Sequence, residues 1–180
     1  MPGRRADQEQ FLEATLHHTD VLHALARRLA PRPADAADLV QETYLRAYAA
    51  WRRQRPRDTG AWLATICLNV GRDHLRRHAQ HQAALAPGPL PDLASGLDTE
   101  QQALDLVAAG QVQALLMQLT EAQRIAITLM DVCGFTAQQV AAITGVPRGT
   151  VLARVHRGRK RLALSLASDG TAPVPRDGGA

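Results

Sequence analysis

The chain has 180 residues, of which 46% are hydrophobic and 3% aromatic, and its formal net charge is +4. This length suffices for one domain or two small ones, and so modest a charge places the basicity in local patches, which suits a protein that also binds a protein partner. Cys67 and Cys133 lack Cys-x-x-Cys spacing, which argues against a zinc finger or a disulfide scaffold and for a reducing compartment. With no apolar run of membrane-spanning length and no signal-peptide core, we expect a cytoplasmic protein.

Helical periodicity dominates a first block, residues 8–78. One or two amphipathic helices are indicated by the spacing of Phe11, Leu12, Leu16, Leu22, Leu25 and Leu29. Pro31 and Pro33 end this stretch. Asp35 is predicted to cap the next helix, with Asp38 in the capping-box position. The apolar residues that this helix turns inward are Val40, Tyr44, Ala47 or Tyr48, and Trp51.

Pro56 and Gly60 break that helix, and another is predicted to begin near Ala61. Its core-facing residues are Trp62, Ile66 and Val70. Residues 79–98, rich in Ala, Pro and Gly, are predicted to form a flexible linker.

A second block, residues 99–167, contains four helix candidates. The first covers residues 100–119, and the second covers residues 121–133 with Thr120 as its cap. Residues 168–180 contain few apolar side chains and are predicted to be disordered. The predicted fold is therefore all-α, with two small helical domains joined by a flexible linker.

The last two helix candidates, within residues 134–162, have the layout of a helix-turn-helix. Gly145 stands where the chain must turn and where φ can be positive, and Pro147 suits the first turn of the second helix. Ala141 allows the two helices to approach closely, and apolar contacts come from Val146, Val151 and Val155. The second helix carries basic residues with no acid among them: Arg148, Arg154, Arg157, Arg159, Lys160 and Arg161.

This pattern predicts DNA binding, because each phosphate that a basic residue neutralises releases counterions. On charge alone, a solvated helix end that favours the helix dipole explains the basic run equally well. Two polar surfaces of the first block can likewise be interpreted as ordinary solvated helix faces. One comprises Asp38, Gln41, Glu42 and Leu45, and the other comprises Asn69, Arg72, Asp73, Arg76 and Arg77.

Taken together, these segments resemble a known family. The text DAADLVQETYLRAY (residues 35–48) followed by AWLATICLNVGRDHLRR (61–77) resembles region 2 of bacterial sigma factors, and residues 115–162 resemble region 4. Two regions with a short linker and no region 3 are similar to the extracytoplasmic-function (ECF) group of the sigma-70 family. The resemblance extends over about residues 22–166.

This resemblance implies a transcription initiation factor with three binding surfaces. Region 2 would dock on the β′ coiled coil of core RNA polymerase through Asp38, Gln41 and Glu42, and region 4 would meet the β flap. The −10 element would be bound by Arg55, Arg57, Asn69, Arg72, Arg76 and Arg77, with residues 55–59 capturing an unstacked base. The −35 element would be bound by Arg148, Thr150, Leu152, Ala153, Arg154, His156, Arg157 and Lys160.

The chain departs from the family pattern at three places. Leu152 and Ala153 stand where relatives commonly have Lys or Arg and then Ser, so we expect −35 recognition to depend on Arg157, His156 and DNA shape. Thr120 replaces a usual proline and Ala64 a frequent aromatic residue.

The resemblance also implies control by an anti-sigma factor, often membrane-anchored, which could hold the chain at the inner membrane face. The alternative is a stand-alone helix-turn-helix regulator that binds duplex DNA without polymerase. We expect no enzymatic activity and no cofactor, since phosphate loops and nucleophile elbows are absent from the sequence. A metal site at His74, His78 and His81 and a thiol sensor at Cys133 are weaker alternatives.

Overall fold

The computed structural model describes residues 2–30, 32, 34–84, 110 and 114–168, and their regular structure is entirely helical. The helices are α1 (Pro2–Thr15), a 3-10 turn (Leu16–His18), α2 (Thr19–Leu29), α3 (Asp35–Trp51), α4 (Thr59–Ala84), α5 (Glu121–Ile127), a π-helical continuation (Thr128–Val132), α6 (Ala137–Thr144) and α7 (Arg148–Ser168). The predicted all-α class is confirmed for these residues. Contacts divide them into two compact units. The first unit consists of the described residues within Met1–Leu93 and Thr128–Arg148. The second unit consists of the described residues within Ala94–Ile127 and Gly149–Ala180.

The core of the first unit lies between α2, α3 and α4. Its fully buried side chains include Leu22 and Leu25 from α2, Leu39 from α3, and Leu63 from α4. The amphipathic prediction for the opening helices is confirmed at Phe11, Leu22, Leu25 and Leu29, which are buried, but Leu12 and Leu16 are exposed. A Cβ on Gly71 would stand 3.0 Å from the Leu29 Cβ, so the backbones of α4 and α2 approach closely there.

Two details at helix starts correct the sequence predictions. Asp35 does not cap α3: it is the first helical residue, and the capping position belongs to Ala34, which makes no side-chain cap bond. The Asp35 carboxylate instead accepts two hydrogen bonds from Arg32, at 3.1 and 2.9 Å, because that guanidinium offers a stronger charged partner than a backbone amide. Helix α4 begins at Thr59, where the Asp58 carboxylate accepts the Ala61 N–H at 2.9 Å.

The buried face of α4 also differs from the predicted one. Val70 is buried as expected, whereas Trp62 and Ile66 are only half-buried. The residues that complete the buried face are Leu63, Ala64, Cys67 and Leu68. Helix α4 extends to Ala84, so the first six residues of the predicted linker are helical. The remaining linker residues 85–98 and the tail 169–180 lie outside the described residues.

In the second unit, Thr120 caps α5 as predicted. Thr120 Oγ1 accepts the Gln123 N–H at 3.3 Å, and Gln123 Oε1 accepts the Thr120 N–H at 3.2 Å. This reciprocal pair is a capping box, which satisfies amides that the first helical turn leaves without partners. Further along the unit, the Ser165 hydroxyl of α7 donates to Gln118 Oε1 at 2.7 Å. Of the predicted helix 100–119, the structure describes only Gly110 and residues 114–119.

The predicted turn between the last two helices is confirmed in its backbone geometry. Helix α6 begins with a second capping box, between Thr136 and Gln139, and is followed by its C-cap residue Gly145, whose φ is +70°. The Gly145 N–H donates to the Ala141 carbonyl at 2.9 Å. A left-handed residue here favours glycine, which pays no Cβ penalty. Pro147 directly precedes α7 rather than lying in its first turn.

Candidate nucleic-acid interface

The outer face of α3 exposes a row of polar and apolar side chains. The side chains of Asp38 and Gln41 are exposed, and neither has a hydrogen bond or ion pair to any residue that the structure describes. Leu45 continues the row one turn further and is 64% exposed. Spacings of three and four residues place these side chains on one face of the helix. An acid, an amide and a leucine are thus free to contact a partner.

An apolar groove lies beside this row, where α1 and α3 meet. Its lining residues are Gln8, Phe11, Leu12, Leu16, Gln41, Tyr44, Leu45 and Tyr48. Leu16 is 57% exposed and Leu12 38%, which is unusual for neighbouring leucines. The groove is built on Phe11, whose ring packs edge-on against Tyr48 at a centroid distance of 5.2 Å. Sequence periodicity counted Leu12 and Leu16 as core, and only the outward Leu45 indicated a second apolar surface.

Glu42, the third residue predicted on the α3 docking face, is directed towards α4. Its carboxylate contacts His74 Nε2 at 2.6 Å and Arg46 at 2.5 Å, and it lies 3.4 Å from Arg77. Arg46 also donates to Asp73 at 2.9 Å. The hydrogen bond from His74 lowers the pKa of Glu42, and the hydrogen bond from Arg46 lowers the pKa of Asp73. Charge-assisted contacts made by Glu42 and by Arg46 therefore join α3 to α4.

The loop between α3 and α4 carries Arg55 and Arg57, both exposed. Arg55 donates to Asp7 of α1 at 2.8 Å, and its guanidinium lies 4.6 Å from the Trp51 ring centroid. Asp7 also contacts Arg52, at 3.2 Å. A carboxylate of the chain itself therefore contacts two guanidinium groups, which are groups that also bind phosphate.

The far end of the loop is fixed by Asp58. One of its carboxylate oxygens caps α4, and the other accepts a hydrogen bond from the Gln139 side chain of α6 at 2.8 Å. The bond from the Ala61 amide, followed by that from Gln139, lowers the pKa of Asp58. The loop is therefore held at both ends, while Arg57 between them extends into solvent.

The solvent face of α4 brings the remaining −10 candidates together. Asn69, Arg72 and Arg76 are exposed, and Arg77 adjoins them at the edge where it faces Glu42. Their spacing of three and four residues forms a continuous strip of donors about two turns long. Such a strip suits phosphate oxygens and base edges.

Helix α7 places the −35 candidates around a buried apolar stripe. Val151 and Val155 are buried, and the exposed positions are Arg148, Leu152, His156, Arg157 and Lys160. Thr150, Ala153 and Arg154 are half-buried. Leu152 is 39% exposed, so an apolar side chain stands at the centre of the exposed face.

Comparison with known proteins identifies the family. Residues 15–81 match the family Sigma-70 region 2, and residues 109–162 match Sigma-70, region 4. The ECF RNA polymerase sigma factor SigM of Mycobacterium tuberculosis is 34% identical over 161 residues, which cover 89% of this chain and 79% of SigM. The chain belongs to the ECF sigma factors. The ECF sigma factor SigE of Mycolicibacterium smegmatis is 32% identical over 166 residues, and the match spans 92% of this chain but only 65% of SigE.

Solved structures of ECF sigma factors have the same fold. The chain is similar to CnrH in complex with the cytosolic domain of CnrY, with a TM-score of 0.69, 26% identity and 90% of each chain covered. It is also similar to the sigma factor RpoE in complex with the anti-sigma factor NepR from Bartonella quintana, with a TM-score of 0.67 and 30% identity. That match covers 91% of this chain and 98% of RpoE.

The surroundings of the histidines and cysteines bear on the two alternatives of a metal site and a thiol sensor. Among the described residues, no three His, Cys, Asp or Glu side chains are grouped so as to hold a metal ion, and His74 is bound to Glu42. Burial raises the pKa of Cys67 to about 12 and that of Cys133 to about 11, which is opposite to the shift that a reactive thiol needs. No helix within the described ranges is both long and apolar enough to cross a bilayer.

Proposed function

We propose that the chain binds core RNA polymerase and directs it to promoters, with region 2 at the −10 element and region 4 at the −35 element. The observation that carries this proposal is the order of three surfaces along the chain. An exposed acid, amide and leucine row on α3 precedes a donor strip on α4, and the basic exposed face of α7 follows. A stand-alone regulator needs the last of these surfaces and has no use for the first.

The proposed docking surface comprises Asp38, Gln41 and the apolar groove around Leu45. A partner helix that carries arginines beside apolar side chains fits both components, because a carboxylate takes a bidentate guanidinium and the groove takes an apolar stripe. A helix of the polymerase β′ coiled coil is our proposed occupant, with the β flap as the partner of region 4. The groove adds Leu12 and Leu16 to the predicted docking residues.

On the −10 element, we propose that the α3–α4 loop receives a base and that α4 follows the strand. Removing a base from the stack costs a few kcal/mol, and the binding site must offset this cost through stacking and hydrogen bonds. Arg55 and Arg57, both exposed, supply donors on this loop, and the Arg55 guanidinium lies over the buried Trp51 ring. Asn69, Arg72 and Arg76 then extend the donor strip along the melted strand.

On the −35 element, the exposed Leu152 cannot donate a hydrogen bond to guanine, but it can contact a thymine methyl group. Arg157 and His156, one turn further, are the donors that would contact base edges. Flanking phosphates would be bound by Arg148, Arg154 and Lys160. The remaining candidates, Thr150 and Ala153, would contribute close packing at the groove wall.

The neighbouring structures of CnrH and RpoE were solved with partners bound, RpoE with an anti-sigma factor. We propose that this chain is likewise restrained by an anti-sigma factor, which would hold it in the cytoplasm or at the inner membrane face. The apolar groove on α1 and α3 would be covered in such a complex.

Fluorescence anisotropy with bacterial core RNA polymerase tests the docking part of this proposal. Leu45→Ala and Gln41→Ala are expected to lower core affinity by about tenfold, the effect of removing a central interface contact. Gln10→Ala, which truncates an exposed amide on α1 outside the groove, is the matched control and should leave core affinity unchanged. Specific, tight duplex binding by a chain that has no affinity for core enzyme would instead identify a stand-alone regulator.

A further inference from the structure

Glu42 has a different environment from its neighbours on the docking face of α3. Its side chain is 28% exposed, and both carboxylate oxygens are occupied. Oε2 contacts His74 Nε2 at 2.6 Å, and Oε1 contacts Arg46 at 2.5 Å. Asp38, one turn earlier, is exposed and makes no ion pair with any residue in the described ranges. The two acids were predicted to share one role, but only Asp38 offers a free carboxylate.

Two of the three partners of Glu42 belong to the helix that carries the donor strip, and the third, Arg46, lies on α3. His74 and Arg77 both lie on α4, as does Asp73, which accepts a hydrogen bond from Arg46 at 2.9 Å. His74 is the least exposed member of the group, at 17%, and Arg77 is the most exposed, at 58%. The contacts therefore run from a nearly enclosed imidazole outward to an arginine on the DNA-facing edge.

This arrangement constrains how α4 is rotated about its own axis. A helix turns about 100° per residue, so a bond that fixes His74 also fixes where Arg72, Arg76 and Arg77 point. Glu42 supplies the fixed point from α3, and Arg46 adds a second link through Asp73. Charge-assisted bonds in a partly enclosed site are directional enough to hold such an orientation.

We propose that Glu42 and His74 are positioning residues for the DNA-binding face of α4, and that Glu42 is not a contact for core polymerase. The proposal rests on the proposed role of α4 at the −10 element. It assigns a role to His74, which no sequence motif singled out for this purpose. It also divides the predicted docking set, leaving Asp38 and Gln41 to meet the polymerase.

A double-mutant cycle in the free protein tests the contact itself. Glu42→Gln and His74→Gln, which preserve shape, are each expected to lower the midpoint of thermal unfolding, and the double variant should fall no further than the worse single variant. The matched cycle of Asp38→Asn with His74→Gln should be additive, because Asp38 has no such partner. Additive effects in the first cycle would overturn the proposal without any reference to polymerase.

The functional arm uses the assembled holoenzyme and a fork-junction DNA that carries a −10 element. Glu42→Gln and His74→Gln should keep core affinity within about twofold of the parent chain and lower affinity for the fork junction by about fivefold, within the range for coupled residues. Asp38→Asn should instead lower core affinity and leave affinity for the fork junction unchanged. The double variant of Glu42→Gln and Arg77→Gln should bind the fork junction as tightly as Arg77→Gln alone. That result would show that the two substitutions weaken DNA binding through the same contacts.

Val40→Ala, a truncation of a buried side chain on the same helix, controls for loss of stability alone. It should lower the unfolding midpoint without changing relative affinity for −10 variants of the fork junction. The proposal is overturned if Glu42→Gln weakens core binding as much as Asp38→Asn does and leaves fork-junction affinity unchanged. If the parent chain does not bind core polymerase at all, the proposed function fails, and the thermal cycle alone decides on the Glu42–His74 contact.

Discussion

Ile127 lies so close to Gly158 that a Cβ on residue 158 would stand 2.5 Å from the Ile127 Cδ1 atom. The same Cβ would stand 3.4 Å from the Gln123 Cβ. Helix α7 therefore passes close to the Ile127 side chain of α5 at a glycine, in the middle of a helix where glycine is otherwise unfavourable. This contact fixes where α7 lies on its own unit, and hence where its exposed face is presented.

Gly158→Ala is expected to destabilise the chain by about 1–3 kcal/mol, because the added methyl group forces Ile127 out of its position. Gly149→Ala is the matched control, since nothing lies within 4 Å of its Cβ position. That substitution should stabilise the chain by about 0.4–1 kcal/mol through lower unfolded-state entropy. Chemical denaturation of both variants checks the difference, and a Gly158→Ala variant as stable as the parent would refute the close contact.

Asp58 should contribute a pH-dependent part of the stability. Its lowered pKa means that the stabilisation is present above the unfolded-state value, near pH 4, and is lost as pH falls through the folded-state value. Asp58→Ala should cost about 1 kcal/mol at neutral pH by removing the α4 cap. Urea unfolding across acid pH should show the parent and the alanine variant converging. Asp58→Asn, which can still cap, should be nearly as stable as the parent at neutral pH and lose less on acidification.

Asp7→Asn should strengthen binding to single-stranded −10 DNA by about two- to fivefold, because it removes an internal anion that competes for Arg52 and Arg55. Binding should also depend more steeply on salt, since more counterions are then released. Glu9→Gln, which alters an exposed pair with Arg5 on the same helix, should change neither quantity. Unchanged affinity for Asp7→Asn would mean that these arginines do not meet the DNA backbone.

Arg157→Ala should reduce use of the −35 element by an amount that corresponds to about 1–3 kcal/mol, the range for a base-edge contact. Leu152→Arg should shift preference towards sequences with guanine at the facing position. Arg161→Ala, which removes a charge one turn further, should weaken binding to all sequences alike. Competition among −35 variants checks these patterns, and unaltered preference in the first two variants would contradict the proposed recognition.

Features encoded within a few residues could be predicted from the sequence. The Thr120 cap and the positive φ of Gly145 depend on local hydrogen bonds and on the missing Cβ, and both predictions are confirmed. The Asp35 cap was wrong because Arg32, three residues before it, is a stronger partner. Sequence rules for helix caps do not predict which partner a carboxylate takes when a charged side chain competes with the backbone amides.

Features that depend on how helices pack could not be predicted. Glu42 and Asp38 are equivalent by spacing, and only the rotation of α3 against α4 places His74 beside one of them. Gly158 in a helix gives no signal of its own until Ile127 is known to face it. The −10 and −35 residue sets remain predictions, and the structure adds only that most of them are exposed.

Run-off transcription tests the central claim most directly. Core RNA polymerase, with and without the chain, would be given a library of genomic fragments from the source organism, and the start sites would be mapped. We predict initiation at a defined set of sites that share −35 and −10 elements and that depend on the chain. No chain-dependent start site, together with tight duplex binding by the chain alone, would contradict its proposed role as a promoter-recognition subunit.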